Sequence, residues 1–322
     1  MQKRLALATL VCVGLATAAC GGPTKGDGES PTPSDGDTAG GPLAAITWVD
    51  GDPPSLDFAK PFNLGQESAS RVMQPGDGEE IKAGDLVLMN YVVLTGEDGT
   101  ATGSTYDAGS PDPIVLTETQ ADGDYIWPAV VGQQVGAKVV VAFTIPAEQL
   151  SSDATEPPTV DPTYLVALTL TKAQDLLASA EGETVVPDGE ASLPGVPTVS
   201  FGTEGKPSIA IPEGVDPPTE LVSELLIEGT GDAVAADQAV AVNYSGWLWD
   251  GTMFDSSWEG GQPAAFFLDQ VIAGWTQGLA GQAIGSRVLL VIPPDLGYQD
   301  QDQGSIPANS TLIFVVDILG AA

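Results

Sequence analysis

Apolar residues along this chain come in short, dense runs rather than at helical spacing. Residues 86–94 (LVLMNYVVL) and 239–248 (AVAVNYSGWL) alternate or run apolar with β-branched side chains. So do 139–145 (VVVAFTI), 164–170 (YLVALTL), 287–293 (RVLLVIP) and 311–319 (TLIFVVDIL). Pro and Gly clusters bound these runs, so all six predict strands. One stretch, 271–279 (VIAGWTQGL), predicts a short helix, although two glycines give it poor propensity. Many antiparallel strands with one short helix is an α+β layout, a sheet wrapped over a helix.

The pattern occurs twice. PGDGEEIKAGDLVLMNY around Gly76 matches EGTGDAVAADQAVAVNY around Gly229, with Gly76, Gly78 and Tyr91 against Gly229, Gly231 and Tyr244. GQQVGAKVVV from Gly132 matches GQAIGSRVLL from Gly281, and the closing runs from Pro162 and Asn309 also correspond. A short P-x-x-x-F element leads each copy, PSLDF ending at Phe58 and PTVSF ending at Phe201. A period this long means duplicated domains rather than a solenoid. Composition places a Gly/Pro/Asp/Glu linker at 179–195, between domains at 46–178 and 196–322.

The N-terminus reads differently. Lys3 and Arg4 precede an uncharged apolar stretch, 5–19, of signal-peptide rather than membrane-span length. Ala18 and Ala19 precede Cys20, a layout that resembles the bacterial lipobox, with Thr17 where Leu is more usual. Residues 1–19 are therefore expected to be a cleaved signal peptide and Cys20 the lipidated first residue, anchoring the chain to the membrane. An ordinary secretory signal or a retained anchor helix is the plainer alternative. Residues 20–45, mostly Gly, Pro, Ser, Thr and Asp, are expected to be a disordered tether.

Composition then excludes whole classes of chemistry. The 322 residues carry 44 Asp plus Glu against 10 Lys plus Arg, a formal net charge of -34. A phosphate backbone would repel such a chain, so nucleic acid is not an expected partner. The acidity suits solubility or salt tolerance and says nothing about substrate. With no histidine there is no Ser-His-Asp hydrolase, no His-ligated zinc and no imidazole acid–base chemistry. Cys12 lies in the signal and Cys20 would be acylated, so the folded part has no thiol nucleophile or thiolate metal site. No metal and no cofactor are expected, and no P-loop, G-x-G-x-x-G helix start or G-x-S-x-G is present.

Between Thr219 and Leu319 five motifs follow in order: VNYSGWLWDGTMFDSS, the F-F-L of 266–268, VIAGW from Val271, GLAGQAIGSRVLLVIPPDLGY, and IPANSTLIFVVDIL from Ile306. In these motifs the stretch resembles an FKBP-type peptidyl-prolyl cis-trans isomerase domain. The resemblance implies two FKBP-like domains, each a curved antiparallel sheet over a short helix with a pocket between them. It implies Trp275 as the pocket floor, Tyr244, Phe254 and Phe314 as aromatic walls, Asp255 beside them, and Tyr298 with its hydroxyl in the site. Val271 and Ile272 would form the rim, with the Ile272 N–H donating to a substrate carbonyl. Phe266 and Ile306 would complete the apolar contact. Each aromatic could equally be core packing, and Asp255 a solvated acid. The implied partners are proline-containing unfolded or exported proteins, with macrolide inhibitors as ligands. Three departures bear on rate, sequence preference and macrolide affinity. Ala264 stands where an aromatic is common, Gln299 follows the tyrosine in place of glycine, and the 299–305 loop is short and acidic without a histidine.

The first copy reads as degenerate. Tyr91 is kept and Tyr106-Asp107 stands where Phe-Asp is expected. Trp127 lies near the tryptophan position with its spacing broken, Val166 replaces the aromatic matching Phe314, and the G-Y and I-P turns have become EQLSSDATEPPTVDP. A spacer, a substrate-holding module or a dimerisation surface would each suit it. For the whole chain, three functions stay open: a tethered extracytoplasmic isomerase, a non-catalytic proline-segment-binding chaperone or scaffold, and a small-ligand lipoprotein.

Overall fold

The computed structural model describes residues 41–117, 124–147, 161–191, 193–202 and 205–322. The signal segment, Cys20, most of the tether and the 148–160 part of the altered turn lie outside the described residues. The chain divides near residue 173 into two compact units.

The first unit opens with a hairpin of β1 (Thr47–Val49) and β2 (Ser55–Asp57). Its sheet follows: β3 (Ser68–Gln74), β4 (Leu86–Thr95), β5 (Ala101–Ser104), β6 (Asp112–Val115), β7 (Lys138–Thr144) and β8 (Thr163–Gln174). The strand order is β3-β7-β8-β4-β5, and β6 also pairs with β4. Two short helices, α1 (Thr105–Ala108) and α2 (Trp127–Val130), join strands.

The second unit adds a short strand β9 (Glu183–Thr184), then a hairpin of β10 (Thr198–Phe201) and β11 (Pro207–Ala210). Its sheet continues with β12 (Val222–Glu228), β13 (Ala239–Leu248), β14 (Met253–Ser256), β15 (Ala264–Phe267), β16 (Arg287–Ile292) and β17 (Leu312–Ala321). The order is β14-β13-β17-β16-β12-β9, with β15 on β13. Helix α3 (Ser257–Gly260) follows β14, and α4 (Ala273–Leu279) follows β15. Apart from β9, this is the strand order of the first sheet.

The matched glycines explain why the repeat is legible. A Cβ on Gly76 would lie 2.3 Å from the Val135 carbonyl oxygen, and one on Gly229 would lie 2.4 Å from that of Ile284. Each glycine lets its segment cross the turn before the next long strand, where no other residue fits. Isolated bridges repeat as well, Glu80 with Gln134 and Ala233 with Ala283.

The central strands run apolar because both faces of each sheet are covered. On β17, Leu312, Phe314, Val316 and Ile318 face the core that holds Trp275 and Leu279. Ile313 and Val315 face a second core with Val199, Trp247 and the hairpin's Phe201 and Ile209. The first hairpin covers Val140, Ala142, Leu165 and Ala167 in the same way.

Three sequence expectations change here. Both hairpins precede the long strands of their sheets, but the P-x-x-x-F elements are not equivalent: Phe58 follows the second strand of its hairpin, while Phe201 ends the first strand of its own. Trp48 on β1 is the true counterpart of Phe201. Lys138 lies 5.6 Å over the Trp48 ring and Arg287 lies 4.2 Å over the Phe201 ring, and both cations begin the matching sheet strand.

The 179–195 segment is not a free linker. Leu177 N–H donates to Leu319 O at 3.0 Å, Ala180 N–H to Asp317 Oδ2 at 3.2 Å, and Glu181 N–H to Gly285 O at 2.9 Å. Strand β9 pairs with β12, and Val186 is buried in the outer core. The second unit thus begins near residue 174. Loop-like composition hid this because, apart from Val186, the segment docks mainly through backbone bonds, which carry no side-chain signature.

The expected tether end at 45 also moves. Residues 41–45 form a turn, and Leu43 is fully buried in the first unit's core.

Candidate functional site

Helix α4 carries the centre of the site. Its glycines, unfavourable for a helix on their own, are explained by close packing. A Cβ on Gly274 would meet the Ile292 side chain at 2.4 Å, and one on Gly278 would meet Leu290 at 2.5 Å. The helix can therefore lie tightly on β16, and Trp275 is held at 4% exposure.

Three rings surround that indole. Tyr244 meets it at 5.4 Å and 85°, Phe314 at 5.2 Å and 84°, and Phe266 at 5.1 Å and 71°. Phe254 meets Phe314 at 5.5 Å and 85°. Edge-to-face pairs of this kind contribute about 0.5–1.5 kcal/mol each beyond area burial. Gly246 makes room for the last pair, since a Cβ there would lie 2.6 Å from the Phe254 ring and 2.9 Å from the Phe314 ring.

Val271 and Ile272, partly buried at the start of α4, pack on the same cluster, and Ile306 is buried within it. Residue 264 is on β15 opposite Val242, two positions before Phe266 and so on the same face, and it contributes only a methyl. Eight of the residues singled out in the sequence thus meet in one cluster.

The polar edge is formed by Tyr244, Asp255 and Tyr298. The Tyr244 hydroxyl donates to the Asp255 carboxylate. Burial first, then that bond, pushes the Tyr244 hydroxyl above its usual range. Burial, followed by the charge of Asp255, also raises Tyr298, which is 37% exposed. Both phenols therefore stay protonated at neutral pH and remain hydrogen-bond donors.

Gln299, which follows Tyr298, has φ 55. The departure from glycine thus falls on a left-handed residue. Gln299 N–H donates to Pro294 O, and its carbonyl accepts from Asn309 N–H at 2.7 Å, so the loop holds that conformation.

Sequence reasoning missed Gly246, and it missed the Asn243–Ser257 pair beneath Tyr244. Ser257 Oγ accepts the Tyr244 N–H at 2.9 Å and donates to Asn243 Oδ1 at 3.2 Å. The signal was present, because Asn90 and Thr105 occupy the corresponding places in the first copy.

Among its described residues the first unit does not repeat this cluster, and two of its expected equivalences shift. Strand register sets Val93 against Gly103 where the second unit sets Gly246 against Asp255. Thr102-Gly103, not Tyr106-Asp107, therefore replaces Phe254-Asp255, and Tyr106-Asp107 sits on α1. Helix hydrogen bonds align Trp127 with Thr276, since Val131 N–H reaches Trp127 O as Ala280 N–H reaches Thr276 O. Ile126 takes the place of Trp275. The Trp127 indole N–H donates to Thr117 O, much as the Thr276 hydroxyl donates to Leu268 O. Val166 pairs with Val141 where Phe314 pairs with Leu290, as the sequence suggested.

Among the described residues, no group of three or more His, Cys, Asp or Glu could hold a metal ion. The arrangement offers a buried floor, one buried wall in Phe314, two partly buried walls in Tyr244 and Phe254, and two phenols at one edge.

Comparison with known proteins defines the class. Residues 231–319 match the family model for FKBP-type peptidyl-prolyl cis-trans isomerase. The FK506-binding protein of Streptomyces anulatus is 41% identical over 119 residues, 35% of this chain and 95% of its own length. The FKBP-type peptidyl-prolyl cis-trans isomerase FkpA of Escherichia coli K12 is 46% identical over 101 residues, 31% of this chain and 37% of that protein. This chain thus spans little more than a third of that longer relative. It belongs to the FKBP-type peptidyl-prolyl cis-trans isomerase family and has the family's α+β fold.

Proposed function

We propose that this protein accelerates cis–trans isomerisation of X-Pro bonds in exported proteins, with the second unit as the enzyme. The observation that carries this reading is the Trp275 floor ringed by Tyr244, Phe266 and Phe314, with two phenols and Asp255 at its edge.

The chemistry asked of such a site is modest. Twisting an X-Pro amide sacrifices resonance against a barrier of about 18–20 kcal/mol, and no bond need break. The site must bind the twisted amide more tightly than the planar one. The planar amide separates charge through resonance and is poorly solvated over a dry aromatic floor. The twisted amide loses that charge separation and fits better. The prolyl ring would sit on the Trp275 indole between Tyr244, Phe254 and Phe314. The Ile272 N–H and the Tyr298 hydroxyl would take the flanking carbonyls, and fixed donors of this kind need no reorganisation during the twist.

In this reading the first unit is a diverged copy of the same domain. Ile126, Thr102 and Val166 replace the floor and two walls, which leaves it a holding or spacing role. Cys20, once lipidated, would hold both units outside the cell membrane behind the 21–40 stretch. Macrolides would compete for the second unit's floor, with affinity reduced by Ala264.

The test is a protease-free isomerisation assay on an X-Pro peptide series with residues 20–322. Acceleration that falls at least about tenfold in Trp275→Ala is expected, because the floor carries much of the differential binding. Saturable peptide binding with no acceleration in the parent protein would replace the isomerase by a proline-binding chaperone or scaffold.

A further inference from the structure

The pocket tyrosine sits at a break in its sheet. Strand β13 is flanked on one side by β17 along its whole length, but on the other by two separate strands. Strand β14 pairs only as far as Ser245 with Ser256, and β15 resumes at Val242 with Ala264. Asn243 and Tyr244 face the gap, where the chain leaves the sheet to form α3. A backbone N–H in such a gap has lost its ladder carbonyl and needs another acceptor.

The Ser257 hydroxyl supplies it. Ser257 is buried, accepts the Tyr244 N–H at 2.9 Å, and is oriented by Asn243 Oδ1 at 3.2 Å. The first unit repeats this at its own gap between β5 and β6. Thr105, buried, accepts the Tyr91 N–H at 2.9 Å and donates to Asn90 Oδ1 at 3.1 Å. The two copies differ at the floor and at two walls, yet both keep a hydroxyl and an amide side chain here. The Tyr91 hydroxyl also keeps a carboxylate partner, Asp112 at 2.5 Å, supplied by β6 instead of β14.

We infer that Ser257, oriented by Asn243, is a positioning residue that fixes the Tyr244 backbone at the sheet break and so sets the tyrosine ring against Trp275 and its hydroxyl on Asp255. It acts through Tyr244 and need not touch substrate. The functional part of this inference rests on the isomerase reading. The hydroxyl is the active feature, since the first unit achieves the same bond with threonine.

The full mature chain with Ser257→Thr, Ser257→Val and Ser257→Ala tests it, by kcat/KM on X-Pro peptides and by hydrogen exchange at the Tyr244 amide. Ser257→Val and Ser257→Ala should lower kcat/KM roughly five- to tenfold and speed exchange at that amide, the scale of one lost buried hydrogen bond. Ser257→Thr should stay within about twofold of the parent on both readouts, because it restores the acceptor. Valine and threonine are nearly isosteric, so a packing role would treat them alike. Equal activity in all three variants, or equal loss in Val and Thr, would overturn the inference. If Val fails to fold, Ala against Thr makes the same comparison. A parent with no isomerase activity would sink the functional reading, and exchange at the Tyr244 amide would then decide the positioning claim alone.

Discussion

Starting the second unit at residue 196, where composition places its boundary, should cost it about 3–4.5 kcal/mol relative to a start at residue 174. The shorter piece loses Val186, which is buried with Leu226, Trp247 and Leu289 on the outer face of the sheet. Uncovering a valine-sized apolar contact costs about 1.5–3 kcal/mol. It also loses the bonds from Leu177 to Leu319, Glu181 to Gly285 and Val185 to Leu226. The carbonyls left behind can reach water, so each counts at the low end, about 0.5 kcal/mol. Against a usual domain stability of about 5–15 kcal/mol this is a large share. At about 2–4 °C per kcal/mol for a domain near 150 residues, the midpoint should fall by roughly 10 °C. Thermal and urea unfolding of residues 174–322 and 196–322 measure it directly. Equal midpoints would mean that the docked segment contributes nothing and is a tether after all.

Two other outcomes follow from local geometry. Gln299→Gly should raise the unfolding midpoint by a few degrees: left-handed backbone costs a non-glycine residue about 1–2 kcal/mol, and glycine's extra entropy returns about 0.5–1 of it. A lower midpoint would show that the Gln299 side chain matters more than its backbone. For Tyr244 the sign follows from its raised hydroxyl, with burial as the main cause. The unfolded chain gives up that proton first, at the usual value near 10.0, so the stabilisation is complete below pH 10 and is lost as pH rises beyond it. Urea unfolding between pH 9 and 11, about one unit either side of the usual tyrosine value, should therefore show a steeper alkaline decline in the parent than in Tyr244→Phe, and parallel declines would refute the assignment.

Much of the fold was legible because its signals are local. The six apolar runs became strands, and the glycines at 76, 78, 229 and 231 marked the repeat because backbone contact there excludes any side chain. The aromatic cluster was legible through motif order. What stayed hidden depends on register or on backbone bonding. Tyr106-Asp107 looked like a Phe-Asp pair by letters, but a strand register set by the bulge at Val93–Leu94 places Thr102-Gly103 there. Trp127 missed the floor by one helical position, which turns a side chain about 100° away. The 179–195 segment docks through main-chain donors, and the Ser257 bond matters only because β14 stops one residue short of Tyr244.

The two copies have diverged unevenly, and the unevenness separates scaffold from site. Both keep the covered outer face, with a hairpin aromatic under a cation at the start of the matching strand, although the pairs differ: Trp48 under Lys138, Phe201 under Arg287. The cations have also found different acids. Lys138 reaches the exposed Asp50 at 2.6 Å, whereas Arg287 makes a buried fork to Asp317 at 2.5 and 2.6 Å. In the second unit that carboxylate also accepts from Ala180 N–H, so the buried pair ties the entry segment to the last strand. A buried fork is worth little over an apolar pair but is costly to break, so it fixes which segment docks more than it adds stability. The first unit has Thr169 opposite Lys138 and no such constraint. The copy with the aromatic floor is therefore also the copy whose entry segment is tied to two central strands through a buried charge.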